Sequence, residues 1–161
     1  MARLNSLILA GIALPHRIGE RLMLHARALS IGVRAVVEDG NGNVLLVRHT
    51  YISGWYFPGG GLNPGESTIQ GLERELAEEV QLCLTGPPEL HGVYFNRRLA
   101  GRDHVIVYRC PHWERDGDFR PSMEIAEARF FALDSLPADL SSGTARRLAE
   151  LYQGEEIVTE W

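Results

Sequence analysis

Three glutamates lie three and four residues apart in the segment that follows a run of glycines. Glu75, Glu78 and Glu79 have the spacing that places side chains on one part of a helix surface. On a helical wheel they fall beside the apolar stripe, at the edge of the face that would pack on a sheet. Carboxylates at this spacing repel one another, so they favour a counter-charge. Their hard oxygen atoms would suit Mg²⁺, Mn²⁺ or Ca²⁺ better than Zn²⁺.

The glycines upstream of these acids strengthen the interpretation as a ligand site. Gly59, Gly60 and Gly61 have no side chain, so the backbone there can approach a ligand or a metal closely. Pro58 and Pro64 stiffen the two sides of the loop. The alternative is a plain turn followed by an acidic, solvated surface helix, which is a common structure. The position of the glycines directly before the acids favours the ligand site.

The elements that must position these residues follow from periodicity and turn signals. A helix is predicted over residues 67–82, because Ser67 and Gln70 have the spacing of a capping box. Two β-branched runs around the turn at residues 39–42 predict a hairpin. The segments HGVYFN, HVIVYRC and ARFFALDSLP predict further strands. A last helix is predicted over residues 142–152, with Arg146 and Arg147 on its exposed face.

The mixture of strands with a few helices predicts an α/β or α+β sandwich. A length of 161 residues suits one domain, which we expect over residues 31–161, including the last helix. Residues 1–30 are predicted to form an N-terminal helical segment. Because this segment is more apolar than a flexible tail, we expect it to pack on the domain or on a second subunit of a homodimer.

Composition limits the partners and the compartment. The net charge is −5 with no basic block, so no nucleic acid is expected as a partner. The apolar run at residues 7–14 is too short to span a membrane and no cleavage signal follows it, so we expect a cytoplasmic protein. Cys83 and Cys110 form no metal-binding pattern and are expected to be buried thiols.

The acidic segment resembles a known motif. Eight of the nine specified positions of the Nudix box, G-x5-E-x7-R-E-U-x-E-E-x-G-U with U a bulky aliphatic residue, are present at the required spacing. The matching residues are Gly60, Glu66, Arg74, Glu75, Leu76, Glu78, Glu79 and Leu82. Gln81 stands where the pattern has glycine. The chain is therefore similar to Nudix hydrolases over about residues 32–137.

This resemblance implies a Nudix-type α/β/α sandwich with a mixed sheet. It also implies a metal-dependent hydrolase that uses Mg²⁺ or Mn²⁺. The expected reaction is cleavage of the diphosphate linkage in a nucleoside diphosphate joined to another moiety, or in a nucleoside triphosphate. Divalent cations suit this chemistry because they offset the negative charge that repels a nucleophile. The expected substrate is a small nucleotide-type molecule.

The resemblance also implies roles for individual residues. The implied metal ligands are Glu75, Glu78, Glu79 and the carbonyl of Gly59. Arg74 would orient a glutamate, either Glu66 or Glu75, through charge-assisted hydrogen bonds. The general base stays open among Glu75, Glu79, Glu124 and Glu127.

The residues that bind the rest of the substrate stay open as well. Candidates for stacking on a base are Trp55, Tyr56, Tyr94 and Phe95. Candidates for contacting phosphate are Arg48, His49, Arg97, Arg98 and His104. An alternative function is a catalytically inactive Nudix-fold module that senses a nucleotide, which would bind but not turn over a diphosphate. A structural domain with an acidic helix would show no thermal shift with Mg²⁺ or Mn²⁺.

Overall fold

The computed structural model describes residues 29–97 and 103–161. In chain order, the elements of these ranges are β1 (Ser30–Val37), β2 (Val44–His49), β3 (Trp55–Tyr56), α1 (Thr68–Val80), β4 (Leu82–Leu84), β5 (Glu89–Asn96), β6 (Asp103–Cys110), β7 (Trp113–Arg115), β8 (Ile125–Phe131) and α2 (Ser142–Tyr152). Residues 1–28, nearly all of the predicted N-terminal helical segment, lie outside the described residues. Its packing and the homodimer therefore stay predictions.

Two small sheets carry most of the strands. The order β1-β6-β5 forms a mixed sheet, in which β1 runs parallel and β5 antiparallel to β6. The order β3-β2-β8 forms an antiparallel sheet, and β4 pairs with β7 separately. Helices α1 and α2 pack against different apolar clusters of these sheets. This mixed α and β architecture confirms the predicted fold class.

The alternating side chains of β1 connect the two clusters. Val33 and Val37 pack with Leu72 and Leu76 of α1, whereas Val36 belongs to the cluster that contains Leu148 of α2. Successive residues of a strand point to opposite faces, so one strand can serve both helices. Full burial of an aliphatic side chain contributes about 1.5–3 kcal/mol, and this packing fixes the position of α1 relative to the sheets.

The predicted hairpin between β1 and β2 is wrong. The turn itself is present, with the Asp39 carboxylate accepting hydrogen bonds from the backbone N–H groups of Asn41 and Asn43, each at 2.9 Å. However, β1 and β2 belong to different sheets and are joined by a single bridge between Glu38 and Val44. The free edge of β1 is instead hydrogen-bonded to the glycine-rich loop, which the local turn signal could not reveal.

Burial differs from the sequence prediction at two positions. The predicted bounds of α2 are confirmed, but Arg147 is 0 % exposed instead of lying on the solvent face. Cys110 is buried as expected, whereas Cys83 is partly exposed, and both are free thiols. Within the two described ranges, no helix has the length and apolar character needed to cross a membrane.

Candidate active site

The glycine-rich loop is held against the edge of β1. The backbone N–H of Val33 donates to the Gly60 carbonyl at 2.8 Å, and that of Ala35 donates to the Pro58 carbonyl at 2.9 Å. Gly59, between these two carbonyls, has φ +130°, and a Cβ there would lie 2.2 Å from the Val33 carbonyl oxygen. No L side chain fits this contact, so glycine is required for the loop to lie this close to the strand.

Helix α1 presents its acids toward this loop. The capping box predicted at Ser67 and Gln70 is present, with both reciprocal hydrogen bonds formed. Leu72, Leu76 and Val80 are buried, so the helix has the apolar stripe and the neighbouring acidic edge that its sequence predicts. The helix thereby directs its carboxylates to the loop.

Arg74 joins three of the carboxylates. Its Nε donates to Oε1 of Glu66 at 2.7 Å, and its Nη1 donates to Oε1 of Glu75 at 2.8 Å and to Oε2 of Glu78 at 3.1 Å. Its Nη2 also donates to the Gly61 carbonyl at 3.0 Å. Hydrogen bonding to Arg74 lowers the pKa of Glu66 to about 2. Arg74 therefore contacts both of the glutamates that the sequence proposed for it.

Glu79 is in a different environment from the other acids. Its side chain is buried, with 7 % of the residue exposed, and its Oε2 accepts a hydrogen bond from the Gly59 N–H at 2.7 Å. In the described part of the chain, it forms no ion pair with a cationic side chain. Burial raises the pKa of Glu79 to about 7. This carboxylate is desolvated without a direct positive partner.

The glycine loop leaves space for Glu75 as well. A Cβ on Gly60 would lie 2.5 Å from Oε1 of Glu75, so a side chain at that position would displace the carboxylate. By contrast, the space beside Gly71 is filled by Leu62, whose Cδ2 would lie 2.2 Å from an added Cβ. Glycine at position 60 therefore leaves space for the Glu75 carboxylate, and glycine at position 71 lets Leu62 of the loop pack on α1.

The donor set fits a divalent cation, although its side chains point to other partners here. No three Asp, Glu, His or Cys side chains within the described ranges are gathered around one point that could hold a metal. The reason is that Glu75 and Glu78 contact Arg74, while Glu79 contacts the Gly59 N–H. Hard carboxylate oxygens beside a glycine cradle, one of them buried and unneutralised, are the chemistry that Mg²⁺ and Mn²⁺ prefer.

The two later candidates for the general base have different surroundings. Glu124 is close enough to the site for its charge to contribute to raising the pKa of Glu79. Glu127 lies on β8 and forms an ion pair with Arg48 of β2. Glu124 therefore lies near the acidic site, whereas the carboxylate of Glu127 is bound to Arg48.

The candidate stacking residues mostly serve the core. Trp55 and Tyr94 are buried, and the Tyr94 hydroxyl donates to Glu150 at 2.9 Å. Tyr56 is half-buried, with its ring centroid 5.4 Å from that of His49. Phe95 is also half-buried and contacts the ring of His104.

The candidate phosphate contacts are spread over the surface. Arg48 is bound to Glu127, and Arg97 is bound to Glu160 at 2.6 Å. Arg98 lies outside the described residues. His49, at the end of β2, is buried, and the charge of Arg34 contributes to lowering its pKa, after burial. Among the candidates that the structure describes, His49 is the one placed near the acidic site.

Arg34 was not singled out from the sequence. It lies on β1 directly behind the glycine loop, where a Cβ on Gly59 would be 3.1 Å from its Cα. Its positive charge also opposes the rise in the pKa of Glu79. The available signal was a charged residue inside an otherwise apolar strand, GVRAVV. Only the position of the loop shows that this strand face adjoins the acids.

Comparisons with known proteins agree with this fold and motif. The model of the NUDIX domain family matches residues 28–152, so the chain belongs to the Nudix family. An RNA pyrophosphohydrolase of Salmonella arizonae is 29 % identical over 129 residues, which cover 80 % of this chain and 68 % of that protein. The family and these relatives confirm the predicted class of enzyme, a pyrophosphohydrolase that cleaves a diphosphate.

Solved structures show the same fold at lower identity. A MutT NUDIX hydrolase from Burkholderia pseudomallei aligns with a TM-score of 0.65 and 23 % identity, covering 76 % of this chain and 97 % of that one. A NUDIX hydrolase from Nitrosomonas europaea gives 0.66 and 24 %, covering 80 % and 92 %. A UDP-X diphosphatase gives 0.59 and 24 %, covering 89 % and 73 %.

Proposed function

We propose that this chain hydrolyses the diphosphate linkage of a nucleoside diphosphate joined to another moiety, or of a nucleoside triphosphate, with Mg²⁺ or Mn²⁺ as its cofactor. The observation that carries the proposal is the excess of negative charge beside the glycine loop. Arg74 contacts Glu66, Glu75 and Glu78, and no cationic side chain of the described ranges is bound directly to the buried Glu79. A bound divalent cation would offset this excess and hold an anionic substrate next to the acids.

The proposed ligands are the carboxylates of Glu75, Glu78 and Glu79, with the Gly59 carbonyl. The carbonyls on either side of Gly59 accept hydrogen bonds from β1, which supports leaving the one between them for another partner. Arg74 holds three of the acids in place through hydrogen bonds to four carboxylate oxygens, and the Gly59 N–H holds Glu79. When bound, the cation neutralises phosphoryl charge and makes an attacking water more acidic.

In the proposed reaction, water attacks one phosphorus atom and the bond from that atom to the bridging oxygen breaks. A carboxylate accepts the proton of the water, and Glu75, Glu79 and Glu124 stay open for this role. Glu127 is the least suited of the four candidates, because its carboxylate is bound to Arg48. Each of the four can be replaced by glutamine and kcat measured against pH. Loss of the general base should remove the corresponding pKa from the kcat profile, whereas loss of a residue that only binds the metal or the substrate should not.

The experiment that tests the function is a substrate screen with Mg²⁺ and, separately, Mn²⁺. Nucleoside diphosphate sugars, dinucleoside polyphosphates, nucleoside triphosphates and ADP-ribose would be incubated with the full chain, and phosphate released after phosphatase treatment would be measured. An RNA with a terminal phosphoanhydride joins the screen, because the Salmonella relative is named an RNA pyrophosphohydrolase. Turnover that EDTA abolishes supports the proposal. Binding of a nucleotide without turnover would favour the sensing module.

A further inference from the structure

The guanidinium of Arg34 has one buried nitrogen atom, Nη1, that donates to no residue in the described ranges. A buried charged donor without an acceptor costs free energy, since it has lost its water without replacing it. A ligand that supplies the acceptor would remove this cost.

The position of Arg34 places this donor beside the reaction site. Gly59 packs directly on Arg34, with a Cβ on Gly59 placed 3.1 Å from the Arg34 Cα, and the same glycine donates to Glu79 at 2.7 Å. The charge of Arg34 also contributes a lowering to the pKa values of Glu79, His49 and Tyr51. The guanidinium therefore shares one region with the acidic edge of α1 and the end of β2.

A second unpaired group lies in the same region. His49 is 9 % exposed, and its Nδ1 is buried without a hydrogen-bond partner in the described part of the chain. Two of the three buried side-chain nitrogen atoms that lack a hydrogen-bond partner among the described residues therefore lie on β1 and β2, and the third, Nε of Arg147, lies on α2. Together the two on β1 and β2 indicate room for a group rich in acceptor oxygens.

Arg34 also does not neutralise Glu79 by direct contact. The two charges influence each other, but no ion pair joins them among the described residues. Arg34 is instead anchored by its strand, which pairs with Val107 of β6. This pairing holds the backbone of Arg34, and its guanidinium offers a planar set of donors that matches the oxygens of a phosphoryl group.

We propose that Arg34 is a substrate-binding residue that donates to a non-bridging oxygen of the diphosphate and fixes it against the acids of α1. This proposal depends on the proposed function, because it names a further contact in the same site. It places a positive charge on each side of the diphosphate: a cation held by the glutamates on one side, and the Arg34 guanidinium on the other. A substrate held from both sides has less freedom before the reaction, which raises kcat/KM.

The test compares three variants of the full chain. Arg34→Met removes the guanidinium and keeps an unbranched apolar side chain, and Arg34→Lys restores a positive charge without the planar fork. Arg109→Met is the matched control, because Arg109 is an exposed arginine on the neighbouring strand β6, where it pairs with Glu38 at 3.3 Å. Binding of methylenediphosphonate, a diphosphate analogue that cannot be hydrolysed, is measured by calorimetry in Mg²⁺, alongside the melting temperature of each variant.

We expect Arg34→Met to weaken methylenediphosphonate binding at least 10-fold and Arg34→Lys to weaken it less, with Arg109→Met unchanged. The melting temperature of Arg34→Met should stay the same or rise, because an unsatisfied buried donor is removed. On the best substrate of the screen, kcat/KM should fall about 100-fold for Arg34→Met. In a fourth variant, Arg34→Ala, whose small side chain leaves space for the ion, added guanidinium should restore part of the activity.

Two results would overturn the proposal. One is an Arg34→Met protein that binds the analogue with wild-type affinity. The other is a lowered melting temperature that Arg34→Lys restores, with no change in affinity, which would give Arg34 a structural role only. In either case wild-type turnover would leave the proposed function standing. If the wild-type chain neither binds the analogue nor hydrolyses any diphosphate, both proposals are wrong.

Discussion

Two arginine-centred clusters show how this chain treats buried charge in opposite ways. Arg147 on α2 is fully buried, donates to Glu150 at 2.7 Å and lies 3.8 Å from the centroid of the Tyr94 ring. It also donates to the carbonyl of Glu160 at 3.2 Å. One acid and an aromatic face thus surround one guanidinium. Arg74 on α1 contacts three acids, and Glu79 of the same helix has no cationic partner in the part of the chain that the structure describes.

The difference between the clusters is their charge balance. A buried pair of one cation and one anion has no excess charge to offset, so it serves the fold. A cluster in which acids outnumber the arginine retains a field that attracts cations, so it serves binding. The local sequence does not distinguish the two clusters, since each has an arginine on a helix next to glutamates. The separation rests on how many acids each arginine faces.

The largest expected effect comes from Glu79→Gln. This change removes one negative charge and keeps the side-chain volume and an acceptor for the Gly59 N–H. If Glu79 binds the catalytic cation, kcat should fall roughly 1000-fold or more, whereas the fold should remain intact. Steady-state kinetics and circular dichroism would check this. Glu73→Gln is the matched control, because Glu73 is exposed on the same helix, and it should keep kcat within a few-fold.

Arg147→Met should have the reverse profile. It leaves Glu150 buried without its cation, and loss of one partner of a buried pair costs about 3–5 kcal/mol in the free energy of unfolding. The kcat of the folded fraction should stay within a few-fold of wild type. Urea unfolding with kinetics below the transition would measure both. Arg146→Met, at an exposed position of the same helix, should change stability by less than about 0.5 kcal/mol. A large loss of kcat in Arg147→Met would remove the contrast between the clusters.

The metal-free protein should become less stable as the pH rises through the weakly acidic range. The pKa of Glu79 is raised from 4.5 to about 7 by burial. Between these values the folded chain binds more protons than the unfolded chain, so the free energy of unfolding falls with increasing pH, by up to about 3 kcal/mol from this group. Urea unfolding in EDTA at pH 5 and pH 8 would measure the fall. Glu79→Gln should lack this contribution, and an identical pH dependence in that variant would contradict the assignment.

The smallest expected effect concerns Gln81, where the family motif has glycine. Gln81 has φ +55° and ψ +47°, the left-handed conformation that costs a side-chain-bearing residue roughly 1–2 kcal/mol. Its side-chain amide donates to the Ala77 carbonyl at 3.0 Å, which offsets part of that cost. Gln81→Gly removes both contributions, so stability should rise by only about 0.5 kcal/mol. Gln81→Ala keeps the backbone cost and should destabilise. Chemical denaturation would rank the three proteins, and any order that places glycine below alanine would contradict this explanation.

Local signals in the sequence predicted local structure well. The capping box at Ser67, the bounds of α2 and the strands β5 and β6 depend on neighbouring residues, and the structure contains them. The apolar stripe of α1 also placed its acids correctly at the edge of the core. These features could be predicted because periodicity and caps act within a few turns of the chain.

Contacts between distant segments could not be predicted in this way. Arg147 was predicted to be exposed from the helix alone. It is buried because the end of the chain packs over the helix, with the Trp161 ring centroid 5.6 Å from its guanidinium. The hairpin prediction failed because the loop at residues 58–62 occupies the edge of β1. Arg34 was missed for the same reason, since that loop is what brings its strand beside Glu79. A single sequence contains no local trace of such pairings.

The most direct test of the charge-excess account is a titration of the metal-free chain with Mn²⁺, in which the electron paramagnetic resonance signal of the free ion measures binding. The account predicts that the wild type and Glu73→Gln bind Mn²⁺ with equal affinity, and that Glu79→Gln binds it at least 10-fold more weakly. Mg²⁺ should displace the bound Mn²⁺ from the wild type. If Glu79→Gln binds Mn²⁺ as tightly as the wild type, or if the wild type leaves all the Mn²⁺ free, then the acids of α1 do not form the metal site.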